Sequence, residues 1–269
     1  DLDGRYTHHA IFDETIKFIK NNKDKPFFLY CPWTPPHAAY QIPEDEPAWK
    51  MYQDKPWPHD ARVAAAMDTM MDRHVGEITA LLKKLGLYQN TLMFFTSDNG
   101  AAKRFDGIHN SSGVMQGKKR SLNEGGIRVP MVVRWPGKIK AGRVSSHPWY
   151  FPDVMPTFAE IGGVSTEVPE DIDGISILPT LLDKGVQKQH EYMFWQYGVR
   201  AVRSGKWKGI GKGGHLYLYD LSKDIEENND LSSKHPEIAA RMKKYITIGY
   251  REPRSQKDDG KYTGKGDKN

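Results

Sequence analysis

Apolar residues recur at steps of three and four between Asp60 and Leu85: Val63, Met67, Met71, Val75, Ile78 and Leu82. That spacing predicts a long amphipathic helix, which Gly86 stops. Ahead of it, Ile11, Ile16, Phe18 and Ile19 stand at roughly helical intervals, with Asp13 as a candidate cap, before the segment runs out into polar residues. Two unbroken apolar runs, "PFFLY" at 26–30 and "NTLMFFTS" at 90–97, read as buried strands. "VPMVVRW" at 129–135 reads as a third, closed by the turn Pro136-Gly137. "FPDVMPTFAEIGG" at 151–163 carries Pro152 near a first turn and Gly162 at its end, the punctuation of a helix. Strand–helix alternation of this kind predicts an α/β fold, a sheet with helices on its faces.

After about residue 185 the pattern shortens. "EYMFWQY", "VRAVRSGKWKGI" and "LYLYDL" are short β-rich runs at tight spacing, with Ser204-Gly205 at a hairpin turn, and "HPEIAARMKKYI" is a closing helix. The expected organisation is an α/β domain over 1–185 and a small antiparallel sheet with one helix over 186–269. The last residues, "REPRSQKDDGKYTGKGDKN", have almost no apolar side chains and are expected to be disordered. Two long loops interrupt the regular pattern. "CPWTPPHAAYQIPEDEPAW", from residue 31, holds too many prolines for helix or strand. Residues 100–127 are rich in Gly, Lys and Asn, and a long irregular loop in a compact domain is usually functional or disordered.

A hydrophobic share of 38% with 27% charged residues suits a globular chain that buries a core. The net charge of +5 is too mild to suggest a nucleic-acid partner and favours anionic ligands only weakly. No apolar run is long enough to span a membrane. The lone Cys31 excludes an intrachain disulfide framework.

Three clusters carry candidate chemistry. "FFTSDNG", residues 94–100, ends a strand in Asp98-Asn99-Gly100. Those residue types make a plain turn, or else place a carboxylate and an amide oxygen where ligands of α/β sheets bind, donors suited to a hard cation such as Ca²⁺. "GKKRSLNEGGIRVP", residues 117–130, is either a solvated basic loop or an anion site. In the second case Lys119 supplies a compact charge for a tetrahedral anion, and Glu124, Gly125, Gly126 and Arg128 fix the loop's exit. His37, in a loop stiffened by prolines beyond "PFFLY", is a structural ring or a general acid at the sheet edge.

In order, "DKPFFLYCPWTPPHAAYQIP", "FFTSDNG", "GKKRSLNEGGIRVPMVVRWPGKIKAG" and "DVMPTFAEIGG" resemble the successive signatures of the type I sulfatases, formylglycine-dependent enzymes of the alkaline-phosphatase-like superfamily. "AVRSGKWKGI" and "LYLYDLSKDIEENNDLSSKHPEIAARM" are similar to that family's C-terminal sheet and helix. The resemblance implies an alkaline-phosphatase-like sheet and a sulfuric ester hydrolase acting on a sulfated small molecule or glycan. It implies Asp98 and Asn99 as Ca²⁺ ligands, and Lys119 and His37 as sulfate contacts, with His37 helping to protonate the leaving alcohol. Arg104, His109 and Arg120, in or beside the intervening loop, are candidates to meet an anionic sugar.

The family's C-x-P-S-R-like motif, whose Cys becomes formylglycine, and its pair of N-terminal Asp ligands do not occur here. Cys31 is followed directly by Pro and by no Arg, and reads as a small buried side chain. The chain is therefore expected to be the C-terminal part of a periplasmic or secreted sulfatase, inactive without the N-terminal half of the catalytic domain. Two alternatives stay open: a phosphodiesterase or phosphonate hydrolase of the same superfamily, and a non-catalytic module that binds sulfated glycans.

Overall fold

The long amphipathic helix predicted from residue 60 is α3 (His59–Lys84), and Gly86, at φ 73°, follows its end. Its buried stripe is Val63, Met67, Met70 and His74, so the apolar face turns slightly away from Met71, Val75 and Ile78. The chain is described by a computed structural model over residues 4–105 and 107–251. The basic tail predicted to be disordered lies outside the described residues after Arg251.

α1 (Thr7–Asn21) begins earlier than the apolar pattern suggests, and Asp13 pairs with Arg5 from inside the helix rather than capping it. Its buried side chains are His8, Phe12, Thr15 and Ile19, a clean stripe in which two of four residues are polar. His74 of α3 stacks on Phe12 at 3.9 Å between ring centroids and hydrogen-bonds with its Nδ1 to His8 Nε2 at 2.9 Å. The short α2 (Pro47–Tyr52) is capped by Glu46, which also pairs with Arg73 at 2.9 Å and His9 at 3.0 Å.

Residues 26–30 form no described strand, and Phe28 and Tyr30 are 67% and 75% exposed. An apolar run becomes a buried strand only when neighbours pair with its edges and cover both faces. Here Phe18 of α1 meets Phe27 and Phe158 meets Phe28, but no described strand pairs with the run. β1 (Met93–Thr96) instead pairs antiparallel with β2 (Met131–Arg134), from Met93 opposite Arg134 to Thr96 opposite Met131. α4 (Val154–Gly162) packs on this pair through Phe158, whose ring lies 5.1 Å from that of Phe94. Gly163, in the left-handed conformation at φ 72°, ends α4.

The C-terminal part is a meander of β3 (Met193–Tyr197), β4 (Val199–Ser204), β5 (Trp207–Lys212) and β6 (His215–Asp220), in that spatial order, crossed by a final helix over Pro236–Gly249. Gly205 at φ 57° makes the two-residue turn between β4 and β5 possible. One face of this sheet, with Val202, Leu216 and Leu218, is covered by Met242 and Tyr245 of the final helix. The other, with Ala201, Ile210 and Tyr219, is covered by Leu122 and Ile127 from the long glycine-rich loop. Among the described residues no helix is long and apolar enough to cross a membrane.

Candidate active site

Where β1 ends, two glycine-bearing stretches meet backbone to backbone. The Gly100 amide donates to the Gly126 carbonyl at 3.0 Å, and the Lys119 amide donates to the Ala101 carbonyl at 2.8 Å. These approaches need glycine. A Cβ at Gly100 would strike the Gly125 carbonyl, and one at Gly126 would strike the carbonyls of Ser121 and Lys118. The Asp98-Asn99 corner and the Lys119 loop, twenty residues apart in sequence, are thereby held side by side.

Asp98 is exposed at this corner and Asn99 is half-buried. The Ser97 hydroxyl donates to the Asn99 carbonyl at 3.2 Å and lies 3.5 Å from Asp98 Oδ1, which fixes the turn. Oxygen donors of this kind fit Ca²⁺, but it takes six to eight of them. No group of three His, Cys, Asp or Glu suited to a metal occurs among the described residues, so the donors of this corner fall short of that number.

Lys119 is half-buried, and among the described residues no carboxylate lies within ion-pair distance of its ammonium. Ser121 closes a tight turn onto the Lys118 carbonyl at 2.8 Å, with the exposed Arg120 between them at φ 76°.

His37 stands exposed on the proline-rich loop. Its Nδ1 lies 2.7 Å from the Ala38 carbonyl, so Nδ1 is the donor and Nε2 is left for another partner. Three residues on, Tyr40 carries the Arg104 guanidinium over its ring at 5.5 Å and packs against Phe105 at 4.9 Å. The His37 loop and the 101–109 segment are joined there. Arg104 also pairs with Asp60 at the start of α3, and the two help line a shallow pocket with Pro58, His59, Phe105 and Ile108. His109 is held by structure: its Nε2 lies 3.0 Å from the Ala61 carbonyl, and its ring stands edge-on to Trp57 and Phe105.

Cys31 is half-buried rather than buried. Its thiol lies 3.6 Å from Thr15 Oγ1, and burial raises its pKa. A thiol kept protonated this way is a poor nucleophile, and the Pro-Trp-Thr that follows it does not supply a formylglycine motif.

A buried ion group went unseen in the sequence. Lys208 of β5 is fully buried, with Nζ 2.8 Å from Glu124 Oε1 and 2.9 Å from Glu227 Oε1. Glu227 also accepts the Glu124 amide at 2.6 Å. A lysine in "WKGI" looks like a solvated strand residue, and the one available cue is that Lys208 shares its strand face with Ile210.

The sulfatase family model matches residues 3–164, and that of the N-sulphoglucosamine sulphohydrolase C-terminal region matches residues 116–249. Steryl-sulfatase of Mus musculus is 35% identical over 213 residues, covering 74% of this chain and 32% of the relative. N-acetylgalactosamine-6-O-sulfatase of Bacteroides thetaiotaomicron is 30% identical over 267 residues, covering 88% of this chain and 49% of the relative. The crystal structure of Ps i-CgsB superposes with a TM-score of 0.81 at 29% identity, over 91% of this chain and 55% of that one. The same protein has been solved in complex with k-i-k-neocarrahexaose. The chain thus spans about a third to a half of the length of the curated relatives it matches. From its glycine-packed corner to its C-terminal sheet, this chain belongs to the sulfatase family.

Proposed function

We propose that the full-length protein is a sulfuric ester hydrolase acting on a carbohydrate sulfate with Ca²⁺. The observation that carries this is the pair of backbone hydrogen bonds, Gly100 to Gly126 and Lys119 to Ala101, that sets the Asp98-Asn99 corner beside Lys119. A corner of hard oxygen donors next to a lysine with no carboxylate partner among the described residues suits a tetrahedral anion bound between a cation and an ammonium. Ca²⁺, when bound through Asp98, Asn99 and further ligands from outside this chain, supplies positive charge to the sulfuryl oxygens. Lys119 holds the sulfate from the loop side. His37, with Nδ1 committed to Ala38, presents Nε2 to the leaving oxygen and gives it a proton.

The polar loop over 100–123 and the wide overlaps with a galactosamine sulfatase and with Ps i-CgsB support a sugar sulfate. Arg104, His109 and Arg120 lie on the segments that would border the sugar. Arg104 is the best placed, its charge shared with Asp60. No nucleophile motif occurs in these 269 residues, so the chain by itself should not turn over.

The test is product release by the full-length protein from a sulfated oligosaccharide, a steryl sulfate, an aryl sulfate and an aryl phosphonate monoester. The sulfated oligosaccharide should give the highest kcat/KM. Preference for steryl sulfate would overturn the carbohydrate reading, and preference for the phosphonate would overturn the reaction class.

A further inference from the structure

The buried group of Lys208, Glu124 and Glu227 lies where the C-terminal sheet meets the glycine-rich loop. Glu124 is gripped twice from outside its own loop. Its carboxylate takes Lys208 Nζ, and its amide donates to the carboxylate of Glu227. Two residues further on, the Gly126 carbonyl receives the Gly100 amide, and five residues back is Lys119. Apolar contact on the same face, through Leu122 and Ile127, holds the loop down without direction. A fully buried lysine between two carboxylates adds direction, because each charge is tolerated only where its partner stands.

We propose that Lys208 is a positioning residue for the anion site: the Lys208–Glu124–Glu227 group clamps the Lys119 loop to the C-terminal sheet and so sets where the Lys119 ammonium stands. The inference rests on the role given to Lys119 above. It makes the C-terminal sheet part of the site's machinery, although no residue of that sheet needs to touch the substrate. Gln116 adds a polar contact at the same seam, its amide 2.6 Å from Asn228 Oδ1.

The test uses the full-length protein with Lys208→Met, and with Lys208→Met/Glu227→Gln in case two facing carboxylates prevent folding. Amide hydrogen exchange reads the clamp directly. The amides of Lys119, Gly125 and Gly126 should exchange about tenfold faster or more, while that of Val202 in β4 keeps its protection. Turnover should fall by about tenfold or more through kcat, with KM changed much less. In a Lys119→Ala background the same Lys208 change should cost little, because its effect acts through that lysine. Unchanged loop exchange in both variants would overturn the proposal. So would an equal loss with and without Lys119, the mark of general destabilisation. Faster loop exchange together with full activity in Lys119→Ala would overturn the role of Lys119, and the proposal with it, while leaving the clamp itself demonstrated.

Discussion

Gly100 and Gly126 are joined amide to carbonyl at 3.0 Å, and neither has room for a side chain. This contact is what turns two turn-like sequences into one candidate site.

Substituting either glycine by alanine should therefore destabilise the full-length protein by about 2–4 kcal/mol, as forced backbone overlap does, and should lower turnover steeply by moving Lys119. Gly76, on α3 with open space around its Cα, is the control. Gly76→Ala should raise stability by up to about 1 kcal/mol and leave turnover alone. Urea unfolding and a turnover assay on the three variants check this.

Ca²⁺ binding should be weak in the 269-residue chain, because affinity follows ligand number and charge. It should be tight in the full-length protein and weakened by Asp98→Ala. Calorimetric titration reads all three. Tight binding by the chain alone would mean that more local ligands exist than Asp98 and Asn99, and unchanged binding in the variant would remove Asp98 from the site.

Much of the fold was legible where local pattern decides. α3, the meander and the glycine punctuation at Gly86 and Gly205 follow from spacing and turn chemistry alone. The buried stripe of α1 was not, because His8 and Thr15 do not look like core until His74 and Cys31 stand against them. The strand expected at 26–30 failed for a related reason: burial on both faces depends on neighbours that an isolated run does not name. In the candidate site, Asp98, Asn99 and Lys119 stand out by residue type and order. Lys208 does not, since its partner Glu124 lies 84 residues away and only tertiary packing excludes water from the pair.

The His8–His74 pair should make stability depend on pH. Burial is the main cause that lowers both pKa values, each to about 4. Nearby His9 and Arg73 add to the shift, while Glu46 opposes it for both rings and Asp13 for His74. Both rings are neutral in the folded protein, whereas unfolded histidines titrate near 6.5. The stability they contribute is complete above about pH 6.5 and is lost as pH falls toward 4. Tm should drop by about 4 °C or more between pH 7 and pH 5. A His8→Leu/His74→Leu variant should show a flatter profile over that window, and an unchanged slope would mean that other groups set it.

The most direct test of the site is sulfate release from one sulfated substrate, measured side by side for the full-length protein, its Lys119→Ala and His37→Ala variants, and the 269-residue chain. The full-length protein should turn over, each variant should lose about a hundredfold or more, and the chain alone should release nothing above a blank. Full activity in Lys119→Ala, or turnover by the chain alone that survives removal of host sulfatases, would contradict the account.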